Sequence, residues 1–306
     1  MVGNPINYSD FVNDFIAAYA RDSRPTAKIA RKLCDTWPLP SKASLDTIRV
    51  AVMDSSFNPP HYCHGAYIEC LGTTNLKAAA AASHSEEPAL LGIDAFLLLL
   101  GSQNADKPQQ GATFEQRMCM TDMLATTIAM PAAEDTSSSW HVWEEDRRRF
   151  DASNLHNMAI GMVNVPRFVD KCQAVRNVVL EELPLPNDYH GPLVLCYFCM
   201  SWDTLVRFFD KKYYGSDHPA EISRFFANGG RISYARRGDL LDSQVAEFLA
   251  APHLAPYLQF IYELELPDRV KHVSSTGVRQ AIYEERNSQD TPPQILEYID
   301  KSKLYQ

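Results

Sequence analysis

Long hydrophobic runs are missing from this chain of 306 residues. Its longest apolar stretches, 95–100 and 193–200, fall far short of the roughly 20 residues that a membrane-spanning helix needs. The start is polar (Gly3, Asn4, Asn7, Ser9, Asp10), so neither a membrane anchor nor a secretory leader is expected. Positive charge is scarce too: 29 Lys+Arg stand against 38 Asp+Glu, a net charge of −9. That argues against a general nucleic-acid binder but leaves room for a nucleotide site, which needs only a few local cations. The seven cysteines (Cys34, Cys63, Cys70, Cys119, Cys172, Cys196, Cys199) are odd in number and scattered. They form no disulfide framework and point to a reducing compartment, the cytoplasm or the nucleus. Two phosphate-binding loops are also missing: no glycine-lysine-Ser/Thr occurs, and no two glycines stand one residue apart.

What is present is a globular composition, 45% hydrophobic and 22% charged, in a chain long enough to bury a sizeable core. Residues 8–34 read as helix, with Ser9 as N-cap and Phe11, Phe15, Ile16 and Tyr19 on one face. Trp37-Pro38-Leu39-Pro40 breaks that pattern. Short apolar runs at 48–53, 94–100, 193–200, 231–235 and 259–264 suit buried strands. Helical patterns fall at 65–71, 113–130, 168–183, 201–209 and 243–249, and after Thr276 and Pro293. The alternation predicts an α/β fold: a Rossmann-like, mostly parallel sheet with helices on both faces.

In an open parallel sheet, ligands bind beyond the carboxyl ends of the strands. The first such end opens into Ser55-Ser56-Phe57-Asn58-Pro59-Pro60-His61-Tyr62-Cys63-His64. Two histidines three apart at the start of a helix can converge on an anion, helped by the amide groups and dipole of the helix end. A zinc pair or an ordinary Asn-Pro turn is the alternative, although two histidines alone do not complete a metal site. Far downstream, His272-Val273-Ser274-Ser275-Thr276-Gly277-Val278-Arg279 places three hydroxyls before a helix with an arginine in its first turn. Such a set suits a polyphosphate, and equally an ordinary helix cap. Cys196-x-x-Cys199 reads as buried strand cysteines rather than a zinc site. Arg147-Arg148-Arg149, after Glu144-Glu145-Asp146, reads as a solvated mixed-charge face.

Together the two segments resemble the nucleotidyltransferase superfamily, with motifs G-x-F-x-P-x-H-x-G-H and I-S-S-T-x-I-R. The sequence is most similar to the nicotinamide/nicotinate-mononucleotide adenylyltransferases, in a divergent fungal-type branch. The resemblance spans most of 48–285 and implies three regions: an N-terminal helical extension (1–46), a nucleotidyltransferase domain (47–290, with inserts near 73–90 and 131–150) and a C-terminal helix (291–306). It implies transfer of adenylyl from ATP to the mononucleotide, giving NAD and pyrophosphate, with Mg²⁺ carried mainly by the ATP phosphates and no dedicated protein metal site. His61, His64 and Arg279 become the catalytic candidates. ATP is assigned to Ser55, Ser56, Phe57, His64, Ser201, Asp203, Ser275, Thr276, Gly277, Val278 and Arg279. The mononucleotide is assigned to Ser56, Lys107, Trp143, Tyr213, Tyr214 and Arg236. Arg117-Met118 resembles the Arg-Met/Leu pair of the family's next helix. The implied partners are small-molecule nucleotides, neither nucleic acid nor membrane, and a homo-oligomer stays open. Ser55, Cys63 and Ser201 replace three motif glycines, each adding a Cβ where backbone approaches a ligand. These departures support the rival readings: a nucleotide-binding regulatory or adaptor protein, or an ATP hydrolase, on a degenerate fold.

Overall fold

The computed structural model describes residues 6–19, 22, 24–39, 46–72, 77–78, 92–103, 111–129, 155–184, 191–236, 240–286 and 288–306. Ala27–Lys32 forms β1 and Thr47–Ser55 forms β2. The two-residue β3 is Lys77–Ala78, and β4 is Ala95–Gly101. Then come β5 (Met158–Val163), β6 (Leu193–Ser201), β7 (Gly230–Ala235) and β8 (Ile261–Leu264). They make one sheet in the order β1-β5-β4-β2-β6-β7-β8-β3. The pairings from β5 to β8 are parallel, while β1 and β3 close the two edges antiparallel. From β2 the chain steps outward to β4 and β5, then returns to the other side of β2 at β6. That reversal is the topological switch point, where a ligand crevice opens beyond the strand ends.

Alternate residues of each strand face opposite layers, as the period of two requires. On one face Ala51, Met53, Phe96, Leu98 and Leu100 pack with α1 (Ser9–Tyr19), α2 (Tyr62–Gly72) and α3 (Phe114–Ala129). On the other, Val50, Val52, Leu97, Leu99 and Phe198 pack with α4 (Phe168–Glu181), α5 (Trp202–Phe208) and α6 (His218–Ala227). Helix α7 (Asp242–Leu249) joins this second layer through Val245 and Leu249. Near the end of the chain lie α8 (Asp268–Lys271), α9 (Ser275–Tyr283) and α10 (Pro293–Lys301). Ile295 and Ile299 of α10 pack in the first layer. The expected α/β sheet with helices on both faces is thus present.

The helix expected over residues 8–34 stops at Tyr19, and Ala27–Lys32 is a strand on β5. Tertiary pairing overrides the Ala/Lys/Arg composition there. Asn164 anchors the entry: its Oδ1 accepts from the Thr26 N–H at 2.8 Å, and its amide donates to the Arg24 carbonyl at 2.9 Å. Ser9 is not the cap either, since its own N–H donates to Asn7 Oδ1 at 2.9 Å. Strand β5 and helix α6 were not legible as elements. The inserts near 73–90 and 131–150 lie outside the described residues, apart from the backbone at 77–78.

The β1–β5 pairing has a specific test. A Cβ at Gly161 would stand 2.5 Å from the Lys28 carbonyl oxygen, a backbone atom that cannot swing away. Gly161→Ala is expected to lower unfolding free energy by about 1–3 kcal/mol, as overpacking does. Urea denaturation reads this directly, and unchanged stability would contradict the strand assignment of residues 27–32.

Candidate active site

Polar side chains return to β2 at its carboxyl end, after the apolar run Val50–Met53. Asp54 accepts from Lys171 Nζ, on α4, at 2.6 Å, and the two side chains are only 9% and 7% exposed. A buried pair like this is costly to break, because either partner alone is a buried unpaired charge. Ser55 follows, and then Phe57, whose φ of 44° is unusual for a residue with a Cβ. Its ring is fully buried and lies 5.1 Å from the His64 ring. Strain of this kind persists only where surrounding packing imposes it.

His64 sits in the first turn of α2 and is held at both nitrogens. Its Nδ1 accepts from the His61 N–H at 3.1 Å, so the proton belongs on Nε2, which lies 3.0 Å from Ser55 Oγ. The His61 ring stacks on it with centroids 3.8 Å apart. Both histidines are buried. The Ser55 hydroxyl, standing where the motif has glycine, therefore covers the proton-bearing nitrogen of His64. The other two departures are absorbed as well. Cys63 is buried in the first core, and Ser201 Oγ pairs with Thr204 Oγ1 at 3.1 Å.

The downstream segment closes on this loop. Ser274 caps α9 by accepting from the Gly277 N–H at 3.1 Å. Ser275 Oγ donates to the Pro59 carbonyl at 2.8 Å. Arg279 donates through Nη1 to the Asn58 carbonyl at 2.5 Å and through Nη2 to Thr276 Oγ1 at 3.1 Å. Arg279 thus grips the first loop rather than Glu284, which pairs with Arg286. Val278 is an inward packing residue whose N–H serves the Ser274 carbonyl. Arg117 is buried beneath this junction, donating from Nε to the Ala112 carbonyl at 2.8 Å. Burial pulls its pKa below the ordinary arginine value.

The remaining predicted residues are placed more loosely. Ser56 is exposed beside the loop, and Asp203 is exposed in the first turn of α5 at the end of β6. Tyr67 of α2 donates to the Met200 carbonyl at 3.2 Å, tying the histidine helix to that strand end. Tyr214 packs with Phe208 and His218 against the second core, and Lys212 Nζ lies 4.8 Å from the Tyr213 ring centroid. Arg236 is engaged by Asp242 and Glu263, so a substrate phosphate would have to displace a carboxylate there. Lys107 and Trp143 lie outside the described residues, as does Trp140.

Among the described residues no group of three or more His, Cys, Asp or Glu could hold a metal ion. Burial pushes the Cys199 thiol well above the ordinary range, and Cys196 is likewise raised, first by its hydrogen bond with Cys172. Both are free and buried, as the strand reading expects. Sequence reasoning missed the Asp54–Lys171 pair and the junction built on Asn58. The residues from Asp54 to Cys63 are local in sequence, but several of their partners are not.

No family model matches the chain. It is similar to a Schizosaccharomyces pombe protein described as "Putative nicotinamide mononucleotide adenylyltransferase", 27% identical over 281 residues, covering 84% of this chain and 86% of that protein. The family resemblance read from the two motifs agrees with that description. Two solved structures of Plasmodium falciparum nicotinic acid mononucleotide adenylyltransferase also align, one complexed with NaAD and one with APC. Each is 13% identical and covers 84% of this chain and 97% of its own, with TM-scores of 0.49 and 0.47.

The buried pair tests how β2 is anchored beside the site. Lys171→Met leaves Asp54 an unpaired buried charge and is expected to cost about 3–5 kcal/mol of stability. Adding Asp54→Asn should recover much of that loss in chemical denaturation. A single variant as stable as the parent would remove the pair from the structural account.

Proposed function

We propose that this chain is a mononucleotide adenylyltransferase, moving the adenylyl group of ATP to nicotinamide mononucleotide, with nicotinate mononucleotide as a second acceptor. The observation that carries this reading is the clasp at the switch point: Arg279 on the Asn58 carbonyl and Ser275 on the Pro59 carbonyl join the two motif segments into one anion-facing surface. The relationship to the fission-yeast protein supports it across most of both chains.

The chemistry asks little of the protein beyond placement and charge. A phosphate oxygen of the mononucleotide attacks the α-phosphorus of ATP, the bond to the bridging oxygen breaks, and pyrophosphate leaves. No side chain is a nucleophile. Catalysis is then orientation plus stabilisation of charge spreading over phosphate oxygens. The opening amides of α9, Arg279 and the Ser55–His64 pair supply donors at the crevice. With Nδ1 accepting from the His61 N–H, His64 donates from Nε2. Mg²⁺ would be carried by the nucleotide phosphates, where it would supply charge neutralisation. The side chains replacing motif glycines each find a place within the protein, so they give the adaptor and hydrolase readings no structural support.

Purified protein supplied with ATP, Mg²⁺ and nicotinamide mononucleotide is expected to form NAD and pyrophosphate. Tight ATP binding without NAD, across metals and pH, would hand the site to the adaptor reading, and ATP breakdown alone to the hydrolase. His64→Ala is expected to lower kcat/KM by about 100- to 1,000-fold, the usual loss for one preorganised donor.

Arg279→Lys should weaken ATP far more than the mononucleotide. A single ammonium cannot hold the Asn58 carbonyl and the Thr276 hydroxyl together as the guanidinium fork does. Losing one charge-assisted bond costs about 1.5–3 kcal/mol. Steady-state kinetics with each substrate varied in turn check both variants, and an unchanged ATP constant would take Arg279 out of the site.

A further inference from the structure

Beyond α10 the chain doubles back toward the crevice. Lys303 and Tyr305 both adopt left-handed backbone, with φ of 50° and 64°, and the Leu304 N–H is held by the Ile299 carbonyl at 3.0 Å. The turn delivers Tyr305 onto the β2–α2 loop, where its hydroxyl donates to Asn58 Oδ1 at 2.7 Å. The same oxygen accepts from the Ala112 N–H at 3.3 Å. Gly111 completes the fit. Its φ is 86°, and a Cβ there would stand 2.9 Å from the Tyr305 ring and 3.0 Å from Asn58 Oδ1. Burial raises the Tyr305 phenol well above the ordinary tyrosine range, against the pull of nearby Arg117 and Arg279.

Asn58 is thus fixed twice. Its side chain is held by Tyr305 and Ala112, and its main-chain carbonyl receives the Arg279 guanidinium. Side chain and carbonyl belong to one residue of the loop, so bonds that tie the side chain to Tyr305 and Ala112 also restrain the loop motion that would carry the carbonyl away. We propose that Tyr305 is a positioning residue for the nucleotide phosphates, holding Asn58 so that its carbonyl orients Arg279 toward the crevice. This assigns a role in ATP binding to a segment outside the region that resembles the family. The inference rests on the adenylyltransferase reading only in taking a nucleotide phosphate as the ligand of Arg279.

Tyr305→Phe is the discriminating variant, because it keeps the ring against Gly111 and removes only the hydroxyl. The expected result is a five- to tenfold rise in the ATP KM, with the mononucleotide KM, kcat at saturating ATP and the melting temperature unchanged. In an Arg279→Lys background the same change should add little, since the tyrosine acts through the arginine. An unchanged ATP KM, additive effects of the two variants, or lowered melting with both KM values intact would each overturn the proposal.

Calorimetric titration of ATP, run beside the NAD assay, separates this inference from the reading beneath it. NAD formation by the parent with equal ATP affinity in Tyr305→Phe defeats the positioning role alone. ATP binding that weakens in the variant, from a parent that makes no NAD, upholds the role and defeats the transferase. A parent that binds no ATP defeats both.

Discussion

Strand β2 is paired on both sides and covered on both faces, and the organisation of the crevice follows from that confinement. Val50, Ala51 and Val52 have no exposure, so the middle of the strand carries nothing polar. At the carboxyl end of the strand charge enters at Asp54, and there Lys171 neutralises it. The histidine loop hangs from the residues after that point, and the downstream segment closes on it through Ser275 and Arg279. The β4 neighbour ends at Gly101 and the β6 neighbour at Ser201, on either side of the point where the strand order reverses.

Under the proposed function an acidic molecule takes anionic substrates against its own long-range field, since net charge acts at a distance on approaching phosphates. The compensation here is local. Arg117 and Arg279 lie close together under the β2–α2 loop, and Lys171, though near in space, is committed to Asp54. The amides opening α9 add partial positive charge without any counter-charge of their own. A site assembled in this way depends on short-range geometry more than on steering. That explains why so many contacts at Asn58 are spent on orientation.

The parts of this architecture readable from sequence were those with a local signature. The runs at 48–53, 94–100 and 193–200 are apolar enough to declare buried strands, and the His61/His64 and Ser274/Ser275/Thr276/Arg279 spacings carry their chemistry in consecutive residues. The failures have a common cause. Ala27–Lys32 is a strand because Asn164 and the bare backbone of Gly161 receive it, and neither is visible from residues 27–32 themselves. Met158–Val163 is a six-residue apolar run interrupted by Gly161, and its period does not separate strand from buried helix. Lys171 looks like one more charge on an amphipathic helix, and Tyr305 like a tail residue, until folding brings each against the loop. Arg236 shows the converse. Its place after β7 fits the family pattern, yet Glu263 and Asp242 hold it.

The sequence distance across the clasp also orders events in time. Asn58 and Arg279 are separated by 221 positions. At roughly 5–20 residues per second of synthesis, the histidine loop exists for about 11 to 44 s before its arginine has been made. During that interval the β2–α2 hairpin has hydrophobic partners from β4 and α3 but no guanidinium to receive its carbonyl. The central strands can therefore assemble as the chain emerges, while competence for nucleotide arrives as a late step, set by translation of the final helices.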